Sequence, residues 1–486
     1  MPLDNKLFLI GSVLLLLSVL GAKASHRFGV PVSLLFLGIG MLAGSDGPGG
    51  IYFEDFHLAK GVGTIALIIT LFAGGLETNW NDVKGIKFAG TSLASFGILI
   101  SAGLVAVFLH YVNGFTWPTG FLLGAIVSST DAAAVFALFK GRGLRPKGHA
   151  KAFLEFEAGS NDPMAFYLVM LSLAWSLGTL EPSWSLVPSF LLSMGLGLGI
   201  GLGASSLFIG LVKRIQLDHA GLYPVLTLSS LFMVYSVAEL FHGNGFLAVY
   251  VFGLAVGNRR FVRKGALLDF YDGMAWLLQI VMFLLLGLLV YPTQLGQVAA
   301  DGLLLSAFLM FIARPLSVWL SLAPWRPHWR EVVLISWGGL RGAVPIVFAC
   351  YLPLSGLPDS GDFFHLVFFV VLVSALLQGT TIPWMAKKLG LVVKHDESAD
   401  LSLPGQGGET HGGVMEVTIP STAQVSGKTV LELELAKGTL IVYIQRGSDV
   451  FAPHGATTIL AGDKLLLMSQ DRGQALKMKE LLTRHP

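Results

Sequence analysis

The chain has 486 residues, 53% of them hydrophobic and 13% charged, with a formal net charge of +2. An ordinary soluble domain carries roughly 25% charged residues, so this composition excludes a water-soluble enzyme as the whole molecule. The near-balanced charge argues against a nucleic-acid partner, and the single cysteine, Cys350, excludes an intramolecular disulfide and cysteine-based metal sites.

Apolar runs of about 20 residues, enough to cross roughly 30 Å of hydrocarbon, recur thirteen times. They cover residues 6–24, 29–45, 58–77, 86–111, 117–140, 149–179, 187–212, 219–241, 243–260, 268–291, 301–323, 331–352 and 362–386. The first reads as a retained helix, because no small-residue cleavage site follows it. Between the spans, loops rich in Lys and Arg alternate with loops that have none. The basic set holds Lys23 and Arg27; Lys84 and Lys87; Lys140, Arg142, Arg145, Lys147 and Lys151; Lys213 and Arg214; Arg259, Arg260, Arg263 and Lys264; Arg326 and Arg330; and Lys387 and Lys388. The positive-inside rule places this set in the cytoplasm, which predicts an N-terminus outside, a C-terminus inside and an odd number of spans.

Beyond Lys388 the composition turns polar. Residues 391–411 read as a linker, since they cannot bury enough apolar area to fold, and 412–486 as a small soluble α+β domain. Alternating segments predict strands at Val414–Ile419, Gly438–Gln445, Asp449–Ala452 and Asp463–Met468, with helices over Lys428–Leu435 and Gln474–Thr483. The expected division is thus a transmembrane domain (1–390), a linker (391–411) and a cytoplasmic domain (412–486).

A charge near the bilayer centre costs at least about 2.5–3.5 kcal/mol on insertion scales, so the few that sit there are informative. Asp131 falls near the middle of span 5, Asp162 of span 6 and Arg341 of span 12, with Glu157 and Arg314 nearer the cytoplasm in spans 6 and 11. One reading is a set of structural ion pairs that fasten helices. Spacing favours a division of labour: Glu157 and Asn161, four apart, share a helix face, whereas Asp162 lies about 100° round and is left for a ligand. Spans 5 and 12 also look broken. Ser128-Ser129-Thr130-Asp131 offers side chains that cap or compete with backbone hydrogen bonds. Gly338, Gly339, Gly342 and Pro345 weaken span 12 at the same depth. Asp131 would suit the positive end of the second half of span 5. The broken spans are seven apart and so cross in opposite directions, as an inverted repeat of spans 1–6 and 8–13 requires. The alternating glycines Gly195, Gly197, Gly199, Gly201 and Gly203 lie inside an apolar span and read as helix packing, not as a dinucleotide fingerprint. The histidines His110, His149, His219, His242, His328 and His365 fall near span ends or in loops, where solvated side chains are expected, with His149 a candidate pH sensor.

Ser129-Thr130-Asp131, Glu157-Ala158-Gly159-Ser160-Asn161-Asp162, Ala313-Arg314-Pro315 and Gly339-Leu340-Arg341-Gly342 together resemble the cation/proton antiporter superfamily. The likeness is to its NhaP-type bacterial branch, which includes potassium/proton antiporters with a regulatory tail. Residues 438–468 resemble the C-terminal ligand-binding module of potassium-conductance regulators. The resemblance implies that Asp162 carries the cation and the proton, with the Thr130 backbone carbonyl and Asp131 completing the monovalent-cation site. It also implies that an arginine, Arg314 or Arg341, holds Glu157 and Asn161. It further implies a homodimer in a bacterial inner membrane, a six-helix core moving against a dimerisation domain, and a role in pH and volume homeostasis. No cofactor is implied beyond the transported ions, apart from a nucleotide-like regulatory ligand in 412–486.

Two departures bear on ion choice. Many sodium exchangers of this type have a serine where this chain has Ala158 and a glutamate where it has Ala73. Both losses remove oxygen ligands, which points to potassium over sodium. Competition of proton and cation for one carboxylate couples the two fluxes, and Asn161 in place of a second aspartate predicts one proton per monovalent ion. The expected function is therefore an electroneutral, tail-regulated cation/proton antiporter and not an enzyme. The alternative from another class is a ligand-gated potassium channel, which has no need of a midplane Asn-Asp pair.

Overall fold

The computed structural model describes residues 5–28, 31–215, 217–259, 261, 264–394, 414–420, 423–433, 435, 438–447, 449–469 and 472–483. Most of the expected linker, residues 395–411, and Arg260 and Arg263 of the fifth basic loop lie outside the described residues.

Every apolar run becomes helix. In chain order these are α1 (Asn5–Phe28), α2 (Val32–Ala43), α3 (Phe56–Glu77), α4 (Lys87–Asn113), α5 (Trp117–Ser128), α6 (Ala132–Lys140), α7 (Ala150–Ser176), α8 (Leu186–Ile215), α9 (Leu222–Leu240) and α10 (Gly245–Gly257). They continue with α11 (Lys264–Leu288), α12 (Ala299–Trp325), α13 (Trp329–Trp337), α14 (Ala343–Ser355) and α15 (Ser360–Lys388). Among the described residues, eight stretches are long and apolar enough to cross a membrane: α3, α4, the α5–α6 run, α8, α9, α11, α12 and α15.

The two expected interruptions are present. Span 5 breaks between α5 and α6 at residues 129–131, and span 12 breaks between α13 and α14 at residues 338–342. A second paired irregularity was not legible in the sequence: a π-helical turn at Leu93–Gly97 in α4 and another at Leu309–Ala313 in α12. Spans 4 and 11 are again seven apart, as the inverted repeat requires. Such turns widen a helix locally and often mark functional positions; the second one delivers Arg314 as its next residue.

Close helix approach is built from glycine. A Cβ on Gly253 of α10 would meet the Phe72 carbonyl of α3 at 2.5 Å, and one on Gly201 of α8 would meet the Ala248 carbonyl of α10 at 2.5 Å. Helix α10 is thereby clamped between α3 and α8. Of the five alternating glycines, Gly197 and Gly201 make this contact, while Gly195, Gly199 and Gly203 face open space, as one face of a helix demands.

Two expectations are corrected here. Residues 392–394, read as the start of a linker, form strand β2 (Val392–Lys394), antiparallel to β1 (Leu144–Pro146) with Arg145 opposite Val393. The β-branched pair Val392-Val393 favours a strand, but its partner lies about 250 residues away in a loop and is invisible to local patterning. His365 is not solvated: it is 6% exposed inside α15, and its Nδ1 is 2.7 Å from the Gly361 carbonyl oxygen, one turn back.

The C-terminal unit is a four-stranded antiparallel sheet. Strands β3 (Val414–Thr418), β4 (Thr439–Arg446), β5 (Asp449–Phe451) and β6 (Lys464–Ser469) are ordered β3-β6-β4-β5, followed by helix α16 (Arg472–Thr483). Ile441, Ile444, Leu465 and Leu467 form its core with Met478 and Leu482 of α16. Among the described residues of Lys428–Leu435, the structure forms a 3-10 turn, Leu431–Leu433, in place of the expected helix. Its backbone is bonded sideways instead. The Val430 N–H donates to Thr457 O and the Leu431 N–H to Gly455 O, both at 2.9 Å, and Thr429 bridges Thr458. Once those groups are paired across the fold, they are lost to a helical ladder.

Candidate functional site

The two broken spans meet. The Asp131 N–H donates to the Leu340 carbonyl at 2.8 Å, joining one break directly to the other. Unwound backbone at membrane depth is tolerated only where it is buried in protein or lines a cavity, and here each break supplies partners to its counterpart. The Arg341 Nη1 donates to the carbonyls of Ser128 at 2.5 Å and Ser129 at 2.9 Å. A cation thus sits on the negative end of α5. At the opposite pole, the Asp131 carboxylate caps α6 by accepting from the Ala134 N–H at 3.1 Å. The same carboxylate lies against Gly342, where a Cβ would collide with it, so it also stands at the N-terminus of α14.

Helix α7 lays Asn161 and Asp162 on the first break. The Ser129 hydroxyl donates to Asp162 Oδ1 at 2.5 Å, and the Asn161 amide nitrogen donates to Thr130 Oγ1 at 2.6 Å. Ser129, Thr130, Asn161 and Asp162 are all at most 6% exposed. Among the described residues, the buried Asp162 carboxylate thus has a hydroxyl donor beside it and no cationic side chain bonded to it, unlike a fastened ion pair.

Glu157 is fastened. Arg314 places Nη1 2.6 Å from Glu157 Oε1 and donates from Nη2 to Oε2 at 2.7 Å, with both side chains at most 2% exposed. This two-point geometry suits a guanidinium and a carboxylate. The two arginines therefore divide: Arg314 takes Glu157, and Arg341 takes the α5 carbonyls. Asn161 departs from the expectation that an arginine holds it, because its amide is engaged by Thr130.

Sequence reasoning missed several supporting residues. On α15, the Ser374 hydroxyl accepts from the Arg341 N–H at 3.1 Å and donates to Gln378 Oε1 at 2.5 Å, while Gln378 Nε2 donates to the Trp337 carbonyl at the end of α13, 3.2 Å away. This polar pair does for the second break what α7 does for the first, and its only sequence signal is Ser and Gln four apart in an apolar span. Asn244 caps α10 by accepting from the Leu247 N–H and donates to the Pro163 carbonyl, both at 2.9 Å. It pins α10 next to Asp162. Ser129 is legible in the sequence as part of the break, but its bond to Asp162 is not, because a serine in a membrane helix usually bonds its own backbone.

Residues 13–388 match the family described as sodium/hydrogen exchanger, transmembrane, and residues 414–480 match the TrkA-C domain. The chain is 39% identical over 478 residues to the K(+)/H(+) antiporter NhaP2 of Shewanella sp. (strain MR-4), covering 96% of this chain and 82% of that one. It is 41% identical over 400 residues to the K(+)/H(+) antiporter NhaP of Alkalimonas amylolytica, covering 82% and 70%. The structure of the sodium proton antiporter MjNhaP1 from Methanocaldococcus jannaschii at pH 8 superposes with a TM-score of 0.67 at 22% identity, covering 77% of this chain and all of that one. The fold is therefore shared with a solved antiporter, and the chain belongs to the sodium/hydrogen exchanger family.

Proposed function

We propose that the chain exchanges potassium for protons, one for one, by competition at Asp162. It is a multi-pass membrane transporter of monovalent cations and protons, and not an enzyme. The observation that carries the site assignment is the buried Asp162 carboxylate, bonded by Ser129 at a chain break, with Arg314 and Arg341 both committed elsewhere. Arg341 occupies the carbonyls of Ser128 and Ser129, which leaves the Thr130 carbonyl as the break's ligand for a cation beside Asp162, with Asp131 supplying negative charge. The potassium assignment rests on the two K(+)/H(+) antiporter relatives named above and on the missing oxygens at Ala73 and Ala158. A gated channel is not favoured, since those relatives are antiporters.

In this reading residues 1–390 form the transport domain, 391–411 the connection and 412–486 a regulatory domain that answers to a small nucleotide-like ligand. The protein is a homodimer in a bacterial inner membrane, with its N-terminus outside and its C-terminus in the cytoplasm. In proteoliposomes, an imposed potassium gradient is expected to move protons and Asp162→Asn to abolish that movement. Unchanged exchange in the variant sinks the assignment.

A further inference from the structure

Seven residues separate Glu155 from Asp162, which is two turns of α7, about 10 Å along one helix face. Glu155 lines a polar cavity of about 490 Å3, together with Asn81, Asp82, Lys84, His149 and Lys151. Gly159 lies between Glu155 and Asp162 on that face. The ring of Tyr250, from α10, covers Gly159: a Cβ there would meet Tyr250 Cζ at 2.5 Å. Tyr250 is 2% exposed, and among the described residues its hydroxyl makes no well-formed hydrogen bond, the Thr78 and Ser160 side chains interacting with it only weakly.

The other side of Asp162 is closed differently. Phe166, one turn beyond Asp162, packs edge-on against Phe246 of α10 at 4.9 Å and in a tilted contact against Phe348 at 5.7 Å. Phe246 and Tyr250 are themselves one turn apart, so a single helix stops both sides of Asp162. The Phe246 stop is all carbon and loses contact when it opens. The Tyr250 stop rests on a glycine and holds a buried, weakly bonded hydroxyl, a costly arrangement that is relieved if the ring swings into the wet cavity.

We infer that Tyr250 is the gate between the polar cavity and Asp162, closed by its fit on Gly159 and opened by hydration of its hydroxyl. The inference rests on the reading of Asp162 as the carrier. A packing role and a gating role differ in the effect of Tyr250→Phe. Packing predicts a neutral variant, since the ring is kept; gating predicts a closed one, since the group that gains water is gone.

The experiment uses the full chain with Cys350→Ala and a reporter, Ser160→Cys, in vesicles that present the cavity side to a membrane-impermeant thiol reagent. Tyr250→Phe is expected to slow both labelling and exchange about tenfold, with the half-saturating potassium concentration unchanged. Tyr250→Ala and Gly159→Ala are expected to speed labelling by a similar factor. Labelling and exchange at parental rates in Tyr250→Phe overturn the gate, and so does a Tyr250→Ala variant that labels no faster. If Tyr250→Ala fails to fold, the Phe variant decides alone. Exchange surviving in Asp162→Asn overturns the carrier reading instead, and the labelling rates still report on the gate.

Discussion

Arg314 and Glu157 form a buried two-point ion pair between α12 and α7, 2.6 and 2.7 Å long, directly after the π-helical turn in α12. Removing one partner of such a pair leaves a buried charge uncompensated and costs about 3–5 kcal/mol, whereas replacing both with apolar groups can be close to neutral. Arg314→Ala and Glu157→Ala are each expected to lower the melting temperature sharply in detergent, and the double variant to lose less than the sum of the two. A double-mutant cycle with no coupling energy contradicts this assignment.

Arg341 has a different task, which predicts a different phenotype. Its Nη1 serves two carbonyls at once at the end of α5, and a lysine ammonium keeps the charge and the donors but lacks the length and the planar, pre-organised geometry of the guanidinium. Arg341→Lys is expected to retain partial exchange and Arg341→Ala to lose it, because two buried acceptors are then unpaired at about 1–3 kcal/mol each. Proton movement in proteoliposomes at matched protein levels checks the order.

Gly339 and Gly342 separate stability from transport. A Cβ on Gly339 would meet Arg314 Nε at 2.6 Å, whereas one on Gly342 would meet the Asp131 carboxylate carbon at 2.8 Å. Overpacking of this kind costs about 1–3 kcal/mol. Gly339→Ala is therefore expected to depress the melting temperature through the Arg314–Glu157 pair. Gly342→Ala is expected to cut exchange about tenfold or more, with a smaller thermal effect. Equal behaviour of the two variants in both assays refutes the separation.

The scarcity of charge made Asp131, Asp162, Glu157, Arg314 and Arg341 legible in the sequence, since few charged residues fall at membrane depth, and the glycines and hydroxylic residues marked both breaks. What those residues bond to was less legible. Ser129, Ser374, Gln378 and Asn244 are uncharged, and in an apolar span only their three-dimensional partners distinguish them from residues that bond their own helix. The Arg314–Glu157 pair directly follows a π-helical turn that leaves no compositional trace at Leu309–Ala313. In the C-terminal unit, the alternation at Thr439–Arg446 and Lys464–Ser469 announced strands. The Lys428–Leu435 segment misled because its backbone partners, Gly455 and Thr457, come from later in the chain.

The C-terminal sheet contains a titratable link. The Asp463 side chain is 1% exposed and accepts from Arg446 Nε and Nη2, both at 2.8 Å, and from the Leu460 N–H at 2.8 Å. Burial alone pushes the Asp463 carboxyl up, but the hydrogen bonds from Arg446 and Leu460 and the Arg446 charge outweigh it and hold the group below its ordinary value. A depressed folded-state value means that the stabilisation is present above the unfolded value, about 3.9, and is lost as pH falls through the folded value. Arg446 is 39% exposed, so solvent screening keeps the effect modest. Hydrogen exchange of β4 and β6 in the full chain is expected to show steady protection from pH 7 to about 5 and a loss specific to these strands below about 4. Asp463→Asn is expected to remove that added acid sensitivity. Parental acid sensitivity in the variant assigns the loss to other groups.

The coupling stoichiometry has an electrical consequence. On the proposed reading, with Asn161 beside Asp162, the site presents a single exchangeable carboxylate. It is neutralised by one proton on one leg of the cycle and by one cation on the other. On that reading the loaded site has the same net charge in both directions, and a complete one-for-one cycle would move no net charge across the membrane. A potential of 100 mV, worth about 2.3 kcal/mol per elementary charge, therefore cannot drive exchange. Two opposed concentration gradients set its direction. In proteoliposomes clamped at zero, positive and negative potentials, the potassium and proton gradients at which net flux vanishes are expected to coincide. Asn161→Asp adds a second carboxylate at the same depth and is expected to make that null point depend on potential if both carboxylates exchange protons. A null point that shifts with potential in the parental protein refutes one-for-one exchange.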